Sequence, residues 1–125
     1  MSPRLYSIKE TIREDEYLYE VVESGGQLGV RCRKYVLGKD LYGDIFDKYS
    51  QKEEYKIRKL VENRYPFIIN QKFETIAWCW PFDHFDLSTG KEIAKKRVDM
   101  KIELKKRKIK SFVKKIENHN LPKTK

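Results

Sequence analysis

The chain is poor in the residues that usually carry catalysis. It has two histidines and two cysteines, and no motif places either histidine, so no Ser/His/Asp or Cys/His nucleophile set is expected. Cys32 and Cys79 lie far apart, and neither Cys-x₂-Cys nor His-x₃-His spacing occurs. Cys32, Cys79, His84 and His119 are therefore not expected to form a zinc site. In a reducing compartment the two cysteines read as buried thiols rather than a disulfide. No apolar run reaches the roughly 18 residues of a transmembrane helix. Met1-Ser2-Pro3-Arg4 leads into no apolar h-region, so no secretory signal is expected and the cytoplasm is the expected location. Gly90-Lys91 lacks both the upstream glycine and the following Ser/Thr of a phosphate-binding loop, which excludes nucleotide hydrolysis of that kind. Neither an internal repeat nor a low-complexity linker is visible, and no cofactor is expected.

What the chain does have is charge, aromatics and pattern. Its 125 residues are 39% apolar, 13% aromatic with eight tyrosines, and 38% charged. That is enough apolar material for one modest core, so a single domain over residues 1–119 is expected, with a flexible basic tail at 120–125. The charge is uneven. The net +9 of the whole chain arises after residue 90, where 12 Lys and two Arg face only Glu92, Asp99, Glu103 and Glu117. So local an excess makes a directed field that attracts polyanions.

Periodicity suggests an α+β fold: a small, mostly antiparallel sheet, a short helix and a long basic amphipathic C-terminal helix. Ser7-Ile8-Lys9-Glu10 has capping-box spacing and predicts a short helix from about residue 8. Tyr17 to Val22 is aromatic and β-branched and predicts a strand. Ser24-Gly25-Gly26 supplies a turn, and Leu28 to Leu37 the returning strand, with Val30, Cys32 and Val36 on one face and Arg31, Arg33 and Tyr35 on the other. Gly38-Lys39-Asp40 and Gly43-Asp44 mark a loop. Ser50 to Glu53 is a second capping box, followed by Ile57, Leu60 and Val61 at helical spacing, so a helix is predicted over about 51–63, ended by Pro66. Phe67-Ile68-Ile69 and Phe73 to Trp80 read as strands buried on both faces, the second stopped by Pro81. Thr89 and Glu92 form a third capping box. Behind it Ala94, Val98, Ile102, Ile109, Phe112, Val113 and Ile116 fall within an arc of about 100°, predicting a helix over about 90–118. Residues 98–104 also alternate as a strand would, but the helical stripe extends over many more residues.

The polar faces of that helix hold the main candidate binding residues: Lys91, Lys95, Lys96, Arg97, Lys101, Lys105, Lys106, Arg107, Lys108, Lys110, Lys114 and Lys115. Such a helix can track a phosphate backbone, and its lysines act as point charges rather than as the bidentate base readers that arginines make. The bland alternative is a solvated helix face. An anionic membrane surface is disfavoured, because the apolar stripe is needed to cover the core. Arg31, Arg33 and Tyr35 combine cation and aromatic as single-strand binders do, although an ordinary exposed strand face has the same composition. Trp78, Trp80, Phe82 and Phe85 form an aromatic cluster, in which Trp80 and Phe82, bordering the loop, are candidates for an anchoring platform and Trp78 for the core.

At residues 79–97, Pro81, Asp83 and Phe85 are followed by Gly90, Lys91, Ile93, Ala94 and Arg97. This resembles a pattern in small phage and prophage proteins, where a strand ends in Pro-x-Asp-x-Phe and a Gly-Lys/Arg-x-Ile-Ala-x-x-Arg helix follows. Trp80, where that pattern more often has a small residue, and the long basic extension after Arg97 depart from it. The resemblance implies a mobile-element origin rather than an activity; small phage proteins of this kind often act in host takeover or in blocking defence systems, including CRISPR inhibition, which would make a host nucleoprotein the partner. The expectation is therefore a non-enzymatic binder of nucleic acid or a nucleic-acid-containing host complex. An inhibitor working by protein contact is the alternative. An Mg²⁺-dependent nuclease using Asp83, Asp99 and Lys101 is a third reading, and it requires residues 98–104 to be a strand.

Overall fold

The computed structural model describes residues 7–66, 70–80 and 83–119. Along the chain run β1 (Ser7–Glu14), β2 (Tyr17–Ser24), β3 (Gln27–Leu37), α1 (Gly38–Tyr42), α2 (Gln51–Arg64), β4 (Asn70–Trp78) and α3 (Leu87–His119). The fold is α+β, with one four-stranded antiparallel sheet ordered β1-β2-β3-β4. The chain divides into two compact units. Unit 1 holds most of the sheet and α3 as far as Lys101, and unit 2 holds the segment from Val36 through α2 together with α3 from Ile102 onward.

In unit 1 the sheet turns an apolar face toward α3, while its other face mixes the Glu20–Arg31–Arg33 ion pairs with the fully buried Val22. Tyr19 pairs with Cys32 and Val21 with Val30 across β2 and β3, and all four are buried, as are Phe73 and Ala77 of β4. The first half of α3 lies over this face with Ala94 and Val98 fully buried. A side chain on Gly90 would meet the Val30 methyl at 2.6 Å, so the helix start sits directly on β3. Tyr17 Oη donates to Asp99 of α3, and burial, then this carboxylate, pushes the phenol well above its usual range. Burial likewise raises the Cys32 thiol to about 11. The β2–β3 hairpin closes through Gly25 and Gly26, both at positive φ (59° and 80°), the backbone that a two-residue primed turn demands.

Three local expectations for unit 1 are corrected. Residues 7–14 are a strand, not a helix. Ser7 and Glu10 do match a capping box, but Thr11 to Glu14 register residue by residue with Glu20 to Tyr17 of β2, and this ladder satisfies the backbone groups that a helix would otherwise bond. Asp15, at φ 54°, makes the tight return possible, since Asp tolerates the left-handed region better than most residues. The start of α3 is also earlier than Thr89. Asp86 accepts the amides of Ser88 (3.0 Å) and Thr89 (3.5 Å), and Thr89 Oγ1 donates back to it at 2.9 Å. Those bonds hold the Asp86 carboxyl below its ordinary value. β4 is half-buried rather than buried on both faces, because Phe73 and Ala77 face the core while Glu74 and Trp78 do not reach full burial.

In unit 2 the core is Leu41, Tyr42, Phe46, Ile57 and Val61 together with Ile109, Val113 and Ile116 of α3, all buried. Residues 38–42, read as loop, form the short helix α1. Leu41 and Tyr42 bury there, and Gly43 at φ 56° ends it by donating its amide to Lys39 O. The Ser50–Glu53 capping box is fully made, and α2 runs to Arg64 as its periodicity predicts. Arg58 places its guanidinium 5.2 Å from the ring centroids of both Tyr42 and Phe46. Tyr49 Oη donates to Glu117 at 2.7 Å, beside Lys48.

Residues 98–104 are helical, so the strand alternative fails. The predicted strand at Phe67-Ile68-Ile69, the stop at Pro81, Phe82 and the tail 120–125 lie outside the described residues. No helix among the described residues is long and apolar enough to cross a membrane.

Candidate nucleic-acid interface

The cations of α3 divide into two groups by what faces them. In unit 1 each is already engaged. Lys91 pairs with Glu14 and sits 5.5 Å from the Tyr19 ring centroid. Lys95 lies 5.1 Å from that of Tyr17, and Lys96 pairs with Glu92 at 3.3 Å. Arg97 donates to Ile76 O at 3.2 Å and Lys101 to Glu74 O at 2.7 Å. Those two carbonyls point outward from β4, an edge strand, so Arg97 and Lys101 cap an edge that would otherwise be open for pairing with another chain. Lys91, Lys95, Arg97 and Lys101 thereby link α3 to the sheet within unit 1.

In unit 2 the pattern reverses. Lys106 has a loose pair with Glu103 at 3.7 Å. Among the described residues Arg107, Lys108, Lys110, Lys114 and Lys115 make no ion pair or side-chain hydrogen bond. Arg107, Lys108 and Lys115 join Arg64 and Lys105 around an open cleft of ≈ 650 Å³ between the end of α2 and α3. Among the described residues Leu104, Tyr65, Phe112 and Ser111 also line it, and no carboxylate does. The Tyr65 and Phe112 rings meet edge to face, with centroids 6.0 Å apart at 87°. Lys105 Nζ and the Arg64 guanidinium lie 4.9 and 5.2 Å from the Tyr65 centroid. Burial, then the positive charges of Lys108 and Arg64, lowers the Lys105 pKa. Like charges disfavour the protonated form, so Lys108 and Arg64 add to the effect of burial.

The position of Tyr65 follows from local sequence. α2 stops at Arg64, and Tyr65 donates its amide to Val61 O at 2.8 Å. The residue before a proline is held out of the helical region, and Tyr65 takes φ −127° and ψ 80°. That turns the ring toward Phe112, which lies on the flank of the apolar stripe. Reading the sequence did not single out Arg64 or Tyr65. The available signals were an Arg-Tyr-Pro stop at the end of a helix and a half-exposed aromatic at the edge of the basic stripe.

The other candidates fall elsewhere. Arg31 and Arg33 are not a free cationic face. Both guanidiniums reach Glu20 Oε1, at 2.6 and 2.7 Å, and Glu74, at 3.5 and 2.9 Å, and Glu20 is only 6% exposed. Their charge is spent inside the sheet. Tyr35, 60% exposed, and Trp80, 75% exposed, are open to solvent. Trp80 borders an apolar cleft of ≈ 190 Å³ in unit 1, lined by Ala77, Trp78, His84, Phe85 and Ile93 among others. Asp99 and Lys101 serve Tyr17 and Glu74 O respectively, so the D-x-K arrangement of a nuclease is not assembled. Among the described residues no three His, Cys, Asp or Glu side chains gather closely enough to hold a metal. Cys32 and Cys79 are free thiols. No protein-family model, curated protein or solved structure matches this chain.

Proposed function

We propose that this chain is a non-enzymatic binding protein for nucleic acid, free or within a nucleoprotein, and that the unit 2 half of α3 is its contact surface. The observation that supports it is the unit 2 cleft: five cations around two aromatic rings with no carboxylate among the lining residues. A structural role would be expected to pair such charges, as Glu14 and Glu92 pair Lys91 and Lys96 in the unit 1 half of the same helix. Lysine and arginine bind phosphates by releasing condensed counterions, which makes affinity fall steeply with salt. The two free cysteines fit a reducing, cytoplasmic setting.

The test is a fluorescence titration of labelled oligonucleotides at several salt concentrations, with a variant in which Lys105, Lys106, Arg107 and Lys108 are each replaced by Glu. Tight, salt-sensitive binding that this variant loses is the expected result. Absence of binding at low salt, or binding indifferent to salt, overturns the proposal.

A second reading is an anti-defence inhibitor that docks on a host nucleoprotein by protein contact. The highly exposed Trp80 beside the apolar cleft of unit 1 favours it, because desolvated tryptophans dominate many protein interfaces. Binding to a nucleoprotein that survives nuclease digestion and is lost in Trp80→Ala would select this reading over the first.

A further inference from the structure

We infer that the unit 2 cleft takes single-stranded nucleic acid in preference to duplex, seating an unstacked base on the apolar surface of Tyr65, Phe112 and Leu104 with its flanking phosphates on the cations of the lining. This inference rests on the nucleic-acid reading of the same cleft and adds which form of nucleic acid it holds.

The cleft has two chemically distinct parts. Its lining combines the cations Arg64, Lys105, Arg107, Lys108 and Lys115 with the apolar surface of Leu104, Tyr65 and Phe112. Leu104 is exposed at 47% despite sitting between charged neighbours. A duplex presents phosphate and sugar to a surface of this kind and keeps the faces of its bases stacked inside, so it would use the cations and leave the apolar surface wet. A single strand can deliver phosphates and a base face together, and a cationic groove floored by aromatics is the arrangement that sequence-tolerant single-strand binders use. The volume, ≈ 650 Å³, lies within the roughly 300–1,000 Å³ of sites that enclose a small organic ligand, which leaves room for a base. The guanidinium of Arg64 lies over the Tyr65 ring, and a guanidinium plane is itself a surface on which bases stack. Ser111, at the cleft, offers a hydroxyl that both accepts and donates, which suits a base edge or a sugar.

The experiment uses the full chain and four probes: labelled oligo-dT, oligo-U, and DNA and RNA duplexes of the same length, titrated at one low salt concentration. Single strands of at least one sugar type should bind at least about 10-fold more tightly than the matching duplex. Which of dT and U binds better shows whether the site takes the DNA or the RNA strand more tightly. Tyr65→Ala should weaken the single strand roughly 5- to 150-fold, the span that loss of one stacked base gives, and leave the duplex nearly unchanged. Tyr65→Phe should bind as wild type. Because Tyr65 also packs on Phe112, a second variant guards against misfolding. Leu104→Glu is a helix-compatible change on an exposed position, and it sets a carboxylate in the seat of the base, so single-strand affinity should fall about 5-fold or more. Equal binding of strands and duplexes, or duplex preference, overturns this inference and leaves nucleic-acid binding standing. Absence of binding to all four probes overturns the parent reading instead. Undiminished single-strand binding in both Tyr65→Ala and Leu104→Glu places the base elsewhere and also overturns it.

Discussion

The strongest consequence of the two-part helix concerns salt. If the unit 2 cleft alone makes the contacts, the number of phosphates neutralised is bounded by the five cations that line it. A single strand releases about 0.7 counterion per phosphate neutralised, so log K should fall with log salt at a slope of about −3.5, and a fourfold rise in salt should weaken binding on the order of 100-fold. Replacing Lys108 and Lys115 together with Ala removes two of those cations and should bring the slope to about −2. Replacing Lys95 and Lys96 with Ala should move it by less than one contact, since Lys95 lies over Tyr17 and Lys96 pairs with Glu92 in unit 1. Distant charges contribute little, because the Debye length is only about 8–10 Å near physiological salt. The assay is fluorescence anisotropy with a labelled single strand at five or more salt concentrations. If the two double variants lose equal slope, the whole helix is the contact surface and the division argued from its partners is wrong. If neither loses any, the helix is not the contact surface at all.

Three further predictions concern the framework that holds the cleft and the sheet. Glu20→Gln strips the carboxylate shared by Arg31 and Arg33 and removes the most buried anion of the network; destabilisation of about 3 kcal/mol is expected, and an unfolding midpoint in urea that barely moves would show the network to be dispensable. Gly90→Ala sets helix propensity, which favours Ala by about 1 kcal/mol, against a clash of the new Cβ with the buried Val30 methyl at 2.6 Å; the stiff, fully enclosed valine cannot yield cheaply, so a net loss of about 1–2 kcal/mol is expected, and a raised melting temperature would refute it. Glu117 is held below its ordinary carboxyl value by its hydrogen bonds from Tyr49 and then Lys48. A depressed folded value gives stability that is present above the unfolded pKa and is lost as pH falls through the folded one, so wild type should exceed Glu117→Gln in urea midpoint near pH 6 and the two should converge as pH drops below 4.5; a gap that persists at pH 3 would rule this out.

Much of the fold is legible in the sequence because its signals are local and agree with one another. The stripe from Ala94 to Ile116 specifies α3. The Gly25-Gly26 turn between two β-branched segments specifies the β2–β3 hairpin, and Ser50 with Glu53 specifies the start of α2. The misreadings share one cause. Ser7-Ile8-Lys9-Glu10 has the local grammar of a helix start, but β2 offers it a complete ladder of backbone partners, and that tertiary offer outweighs a capping box worth about 1 kcal/mol. Residues 38–42 look like a loop until Leu41 and Tyr42 find the unit 2 core. The Arg31 and Arg33 face looks like a binding surface because its partners are remote in sequence: Glu20 on the neighbouring strand and Glu74 on a strand reached only after two helices.

The candidate site was legible in its charge but not in its location, and the reason is physical. A run of lysines states how much positive charge a helix carries, whereas function depends on how much of it is left unpaired after folding. Lys101 and Lys108 are the same residue on the same helix. One donates to the open edge of β4 and is part of the fold; the other lines a cleft that contains no anion. Nothing in the heptad around either lysine distinguishes them, because the difference lies in what the rest of the chain brings opposite. Where it brings carbonyls, carboxylates and tyrosines of the sheet, the charge is absorbed. Where it brings Arg64, Tyr65 and Phe112, the charge accumulates beside an apolar surface. A protein that kept such a cleft for stability alone would gain by placing a single Glu at Ser111, which is exposed and one turn from Arg107 and Lys108. Among the described residues no carboxylate lines the cleft, and that is the feature on which the proposed contact with a polyanion rests.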